Sequence, residues 1–110
     1  MKTLNFSKEY KEKLLSGEKT STLRLKTLLK KGDLVNIVVG GENLGIAKII
    51  QVKKITLKEL SINEIKKDGF KSKKHLLKAL KKHYPSINLT EQTPLYLITF
   101  TFQSNRLDGK

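Results

Sequence analysis

Residues 94–102, Pro-Leu-Tyr-Leu-Ile-Thr-Phe-Thr-Phe, alternate so regularly that they must form a β-strand. Tyr96, Ile98, Phe100 and Phe102 share one face, and Leu95, Leu97, Thr99 and Thr101 share the other. Four further segments read as strands: 4–6, 20–25, 34–39 and 44–54. Lys30-Lys31-Gly32-Asp33 reads as a turn, and Gly40-Gly41-Glu42-Asn43 as the loop of a hairpin.

Helical signals fill the gaps between these strands. Ser7 is placed to cap a helix over 8–16, whose Tyr10, Leu14 and Leu15 form a narrow apolar stripe. Gly17 then fits the left-handed position that closes such a helix. Thr56-x-x-Glu59 and Ser61-x-x-Glu64 are consecutive capping boxes, which predict two short helical turns, the second ending at Gly69. Ser72 caps a longer helix to about His83, with Leu76, Leu77, Leu80 and Tyr84 on one face, and Pro85 stops it. Ser86 to Thr93 is a polar loop. The expected class is α+β: a small curved antiparallel sheet or partly closed β-barrel with about three flanking helices. Residues 1–103 read as one domain and 104–110 as a flexible tail.

Composition narrows the chemistry. The chain has no cysteine, which removes disulfides, thiolate catalysis and cysteine-based metal or iron–sulfur sites. His75 and His83 have no carboxylates at a spacing that suggests a metal site. No cofactor and no metal are therefore expected. No apolar stretch approaches the roughly 18 residues of a membrane span, and the charged start is unlike a signal peptide. The expected compartment is the cytoplasm, and the expected state a monomer. The formal charge of +13 on 110 residues draws the chain toward polyanions, nucleic acid first. The plain alternative is compositional, because a lysine-heavy chain also arises from an AT-rich genome or a heat-adapted proteome.

The run Gly17-Glu18-Lys19-Thr20-Ser21-Thr22-Leu23-Arg24 sets a turn residue, three hydroxyls and two cations at a helix–strand junction. In a regular strand Thr20, Thr22 and Arg24 face one way and Lys19, Ser21 and Leu23 the other. Lys19 and Thr22 converge only if Lys19 lies in the turn, before alternation begins. Arg24 is one of only two arginines beside 21 lysines, so lysine bias does not account for it. Its planar fork suits a phosphate or a base edge; the alternative is a structural ion pair with Asp68 or Glu18. The alternatives for the others are a solvated Lys19, and Thr20 and Thr22 chosen for β-propensity.

Gly17-x-Lys19-x-x-x-x-Arg24 resembles the signature of the ASCH domain, a branch of the PUA-like superfamily. Four landmarks follow in matching order: Lys31-Gly32-Asp33, Asp68-Gly69-Phe70-Lys71-Ser72, Tyr84-Pro85 and the final Leu-Tyr-Leu-Ile-Thr-Phe strand. With the helix before the motif they span about residues 3–102. The resemblance implies a small PUA-like β-barrel that binds RNA in a basic cleft beside the motif. Bacterial relatives hydrolyse N4-acetylcytidine with a lysine and a threonine of this motif and a downstream glutamate. By resemblance Lys19 and Thr22 take those catalytic roles, and Asp68 stands near the glutamate, one residue off and one methylene shorter. Some relatives are proposed to cleave RNA, although no histidine or carboxylate pair here argues for a ribonuclease.

The partner expected is thus RNA or a modified nucleoside, contacted by Lys19, Thr20, Thr22, Arg24, Lys71, Lys74 and Lys78. The last three belong to the basic stretch 66–82, which reads equally as a solvated helix face. His75 and His83 read as surface residues and Tyr84 as core. Phe70 reads as a core plug, with base stacking as the alternative.

Overall fold

One long strand carries most of the sheet's pairing. β1 (Lys2–Phe6), β2 (Ser21–Arg24), β3 (Leu34–Val39), β4 (Glu42–Thr56) and β5 (Pro94–Ser104) form a single sheet in the order β1-β3-β4-β5-β2. The computed structural model describes residues 1–104. β4 outruns the expected 44–54 at both ends. Glu42 and Asn43 pair with Val39 and Val38 across a turn of two glycines, and Lys54, Ile55 and Thr56 pair with Tyr96, Leu95 and Pro94. β5 includes Ser104, one residue into the stretch expected as a tail. The remainder of that stretch lies outside the described residues.

One pairing departs from the antiparallel expectation: β1 runs parallel to β3. A parallel pair needs a crossover, which the intervening helix and β2 supply. Register shifts between Ile37 and Val38, and between Ile49 and Gln51, mark irregularities in β3 and β4. Such bulges bend and twist a sheet. The sheet curls until its two edge strands meet, where Arg24 Nη2 of β2 donates to the Asn5 carbonyl of β1 at 2.7 Å.

The helices begin where the capping signals place them. α2 (Ile62–Lys67) starts at a full capping box, with Ser61 Oγ accepting from the Glu64 N–H and Glu64 Oε1 accepting from the Ser61 N–H. The Thr56–Glu59 box heads a single 3-10 turn, Leu57–Glu59. α3 (Lys73–His83) starts at Ser72, whose Oγ accepts from the His75 N–H. Each such cap contributes about 1 kcal/mol. The expected helix over 8–16 is split into a 3-10 turn, Lys8–Tyr10, and α1 (Lys11–Ser16). Ser7 stands at the cap position with extended backbone, but its side chain makes no capping bond.

Two apolar cores result. The first fills the curl: Leu4, Phe6, Val35, Ile37, Ile49 and Phe100 pack beneath Tyr10 and Leu14. The second joins Leu23, Ile55, Leu95 and Leu97 of the sheet to Ile65, Leu76 and Leu80 of α2 and α3. β5 serves both, sending Leu95 and Leu97 to one and Ile98 and Phe100 to the other. Phe70 packs against both cores at their boundary. Among the described residues no helix is long and apolar enough to cross a membrane.

Candidate functional site

The motif's local geometry begins with Gly17. It ends α1 at φ 81°, a left-handed value favouring glycine, and its N–H donates to the Leu14 carbonyl at 3.3 Å. The chain then turns back, and the Lys19 N–H donates to the Lys13 carbonyl at 3.0 Å. β2 begins only at Ser21, so Lys19 lies in the turn, as convergence with Thr22 requires.

Lys19 is not the solvated lysine that its position after a helix cap permits. It is 3% exposed, and its Nζ donates to Asp68 Oδ1 at 2.5 Å and to the Asp68 carbonyl at 2.7 Å. Asp68, also 3% exposed, is the C-cap of α2. Gly69 permits the close approach: at φ +91°, a Cβ there would lie 3.3 Å from Lys13 Cδ and 3.5 Å from Lys19 Cβ. Lys13 Nζ donates to the Gly69 carbonyl at 2.5 Å, so two lysines grip successive carbonyls of this loop. Three rings surround the Lys19 ammonium, with centroids 4.9 Å (Tyr10), 5.5 Å (Phe70) and 5.8 Å (Phe6) away. Ring faces attract a cation and offset part of its lost hydration.

Arg24 does not form the ion pair that stood as the alternative to its ligand-gripping role. Among the described residues no carboxylate salt-bridges it, because Lys19 holds Asp68. Its Nε donates to Thr22 Oγ1 at 3.1 Å, Nη2 donates to Asn5, and the guanidinium lies 5.1 Å from the Phe6 ring centroid. This fork spans the seam between the edge strands and fixes the Thr22 hydroxyl as an acceptor. Lysine offers no planar equivalent.

Lys19, Thr22, Arg24 and Asp68 all line one cavity of about 200 Å³. It lies where the two cores meet, walled by Phe6, Tyr10, Phe70, Leu76 and Tyr84, with His83 and Ser7 also in its lining. Pockets for drug-sized ligands run roughly 300–1,000 Å³, so this one suits a single small group. Burial pushes the Lys19 amine below its ordinary value and the Asp68 carboxyl above its own, each opposed by attraction to the other. Both groups are thereby drawn toward their neutral forms, as acid–base chemistry near neutral pH requires.

Other expected contacts separate from this cluster. Thr20 is absent from the cavity lining; it precedes β2, where its N–H donates to the Lys67 carbonyl and its carbonyl accepts from the Phe100 N–H. Lys71 and Lys78 border a different groove, and Lys74 borders neither. Two participants escaped the sequence reading. Tyr10 Oη and His83 Nε2 are 2.8 Å apart at the cavity, so His83 is more than a surface residue. Burial, then Glu9, pushes the Tyr10 phenol up to about 12, while burial lowers His83. The stripe pointed Tyr10 inward, but no local signal couples residues 73 positions apart. Among the described residues no three His, Asp or Glu side chains gather to hold a metal.

Comparison with known structures identifies the architecture. A protein of family DUF984 from Enterococcus faecalis superposes with a TM-score of 0.77 at 18% identity, over 94% of this chain and 81% of that one. The ASCH domain from Lactobacillus crispatus gives 0.69 at 20% identity, over 84% and 69%. ASCH from Zymomonas mobilis gives 0.66 at 13% identity, over 93% and 68%. At these identities the likeness concerns fold, here an α+β PUA-like half-barrel of five strands with three helices. A search of curated proteins found no match. The model of the family described as "ASCH domain" matches residues 2–102, nearly the whole described structure, and the chain belongs to that family.

Proposed function

We propose that the cavity hydrolyses an amide on a nucleobase, with N4-acetylcytidine as the reference substrate, and that the protein acts on cytoplasmic nucleosides or RNA. The observation carrying this reading is the convergence of Lys19, Thr22, Arg24 and Asp68 on one cavity. A surface built only to grip a backbone has no need to bury an amine and a carboxyl together.

Each group has a role. When the Lys19 ammonium passes its shared proton to Asp68, Lys19 becomes a neutral amine and takes the Thr22 hydroxyl proton. Thr22 Oγ1 attacks the acyl carbon, and the C=O electrons move onto the oxygen. Arg24 Nε already donates to Oγ1 and stabilises the negative charge that grows on that atom as its proton leaves. The C–N bond then breaks, and Lys19 returns the proton to the departing exocyclic nitrogen, giving the free base. Water cleaves the resulting threonine ester, releasing acetate and restoring the hydroxyl. Direct contact between Asp68 and Lys19 supports aspartate in the place where relatives carry a longer glutamate.

The test is incubation with N4-acetylcytidine and assay for cytidine. Turnover is expected, with loss to background in Thr22→Val, which keeps the shape and removes the nucleophile. A folded protein that releases no cytidine overturns the reading for this substrate. A second reading, RNA binding without chemistry, is favoured by the formal charge of +13. It predicts strongly salt-dependent RNA binding and no product.

A further inference from the structure

Attack by Thr22 Oγ1 on an acyl carbon places a negative charge on the acyl oxygen, and such a charge is best met by a preorganised donor. Lys19 is occupied by the proton transfer and by Asp68. Arg24 is committed through Nε to Thr22 and through Nη2 to the Asn5 carbonyl. The other donor side chains in the cavity lining are those of Asn5, Ser7, Tyr10, His83 and Tyr84. Of these five, Tyr10 alone is buried. A donor shielded from water is worth far more to a developing charge than one facing solvent.

Tyr10 is also held in place. It ends the 3-10 turn Lys8–Tyr10, and its Oη lies 2.8 Å from Nε2 of His83, the last residue of α3. The two rings are tilted at 56° with centroids 5.7 Å apart. The Tyr10 ring centroid is 4.9 Å from Lys19 Nζ, beside the reacting groups. Burial, then Glu9, pushes the phenol up to about 12, so it keeps its proton at neutral pH. An imidazole with its proton on Nε2 donates to Oη and leaves the phenol O–H free for another acceptor. Hydrogen bonds linked in such a chain polarise one another.

We propose that Tyr10 is the oxyanion donor: its O–H bonds the acyl oxygen as negative charge develops there, and His83 is the positioning residue that aims it. This rests on the cavity reading and adds to it the group that stabilises the tetrahedral intermediate. The phenol donates without giving up its proton. The electron pair returns to the carbonyl when the C–N bond breaks. The same oxygen is charged again when water attacks the threonine ester, so Tyr10 serves both halves of the reaction.

Steady-state kinetics with N4-acetylcytidine and with its thioamide analogue, N4-thioacetylcytidine, test this. Tyr10→Phe keeps the ring and removes the donor. It is expected to lower kcat on the oxygen substrate about 100- to 1,000-fold with KM unchanged, because the bond strengthens only in the transition state. Sulfur is a weak acceptor, so turnover of the thioamide is expected to fall about tenfold or less. Equal losses on the two substrates mark a distorted cavity and overturn the proposal. His83→Leu is expected to lower kcat on the oxygen substrate about tenfold, the worth of one hydrogen bond. His83→Gln is expected to recover part of that loss through its side-chain N–H. A glutamine variant no faster than the leucine variant overturns the role of His83. A parent that releases cytidine, matched in kcat by Tyr10→Phe, removes this proposal and leaves the cavity reading standing. A parent that releases none removes both.

Discussion

Lys19 and the lysines of α3 carry the same ammonium group and meet different physics. Lys19 is 3% exposed, held by one carboxylate, one carbonyl and three rings. Lys74, Lys78, Lys81 and Lys82 are exposed, and among the described residues only Lys82 of the four lies within salt-bridge distance of an acid, Glu9 at 3.7 Å. Water screens the second group over about 8 Å at physiological salt, so its members act together as a field. The first is cut off from that screening, so a single neighbour decides its charge. Counting lysines along the chain therefore conceals two environments, one in which a single neighbour sets the charge and one in which solvent screens it.

The largest test of this contrast is Asp68→Ala. It strands a buried ammonium and is expected to cost about 3–5 kcal/mol in urea unfolding. A loss below about 1 kcal/mol makes Lys19 equivalent to a surface lysine and erases the comparison. The double variant Lys19→Met with Asp68→Leu sharpens it: most of the stability is expected to return, since well-packed apolar groups replace buried pairs without loss.

Tyr10→Phe comes next, removing the bond to His83 at a cost of about 1 kcal/mol. It also changes the alkaline limb. The folded Tyr10 phenol is raised from 10.0 to about 12, so its contribution is fully present below pH 10 and lost as pH rises through 12. Stability measured between those values is expected to fall in the parent and to lose this component in the variant. Ser61→Ala removes the cap of the helix that ends at Asp68 and is expected to cost about 1 kcal/mol by thermal unfolding. The smallest effect belongs to the exposed control. Lys53 Nζ and Glu64 Oε2 are 2.9 Å apart, yet Lys53→Ala is expected to cost no more than about 0.5 kcal/mol. A cost matching that of Asp68→Ala would show that burial is not what separates the two lysine classes.

Much of the frame could be read from local chemistry. The boxes at Thr56 and Ser61, the cap at Ser72 and the left-handed Gly17 are decided within a few residues, and each stands where its pattern placed it. Residues 34–39 are apolar at every position but Asn36 and rich in β-branched side chains, and they form β3. The ends of β4 were not legible, because Ile55 and Thr56 become strand only through β5, some forty residues away. The parallel course of β1 depends on where β3 returns, which no feature of residues 2–6 records. At the site, the motif marked Lys19, Thr22 and Arg24, and family resemblance drew in Asp68. Arg24 had two candidate acids and salt-bridges neither, since Lys19 reaches Asp68 and the Asn5 carbonyl lies nearby. Lys74 and Lys78 look alike in sequence, and only the groove, which Lys78 lines and Lys74 does not, separates them.

The pairing of β2 has a consequence for biosynthesis. Ser21–Arg24 find their ladder partners among Tyr96–Thr99, in the last strand of the described residues, synthesised some seventy residues later. A nascent chain can carry the whole motif and yet lack the wall that holds it. A polypeptide truncated before residue 94 would thus carry the motif without the strand that shapes its cavity, so the site assembles only after Tyr96–Thr99 have been made.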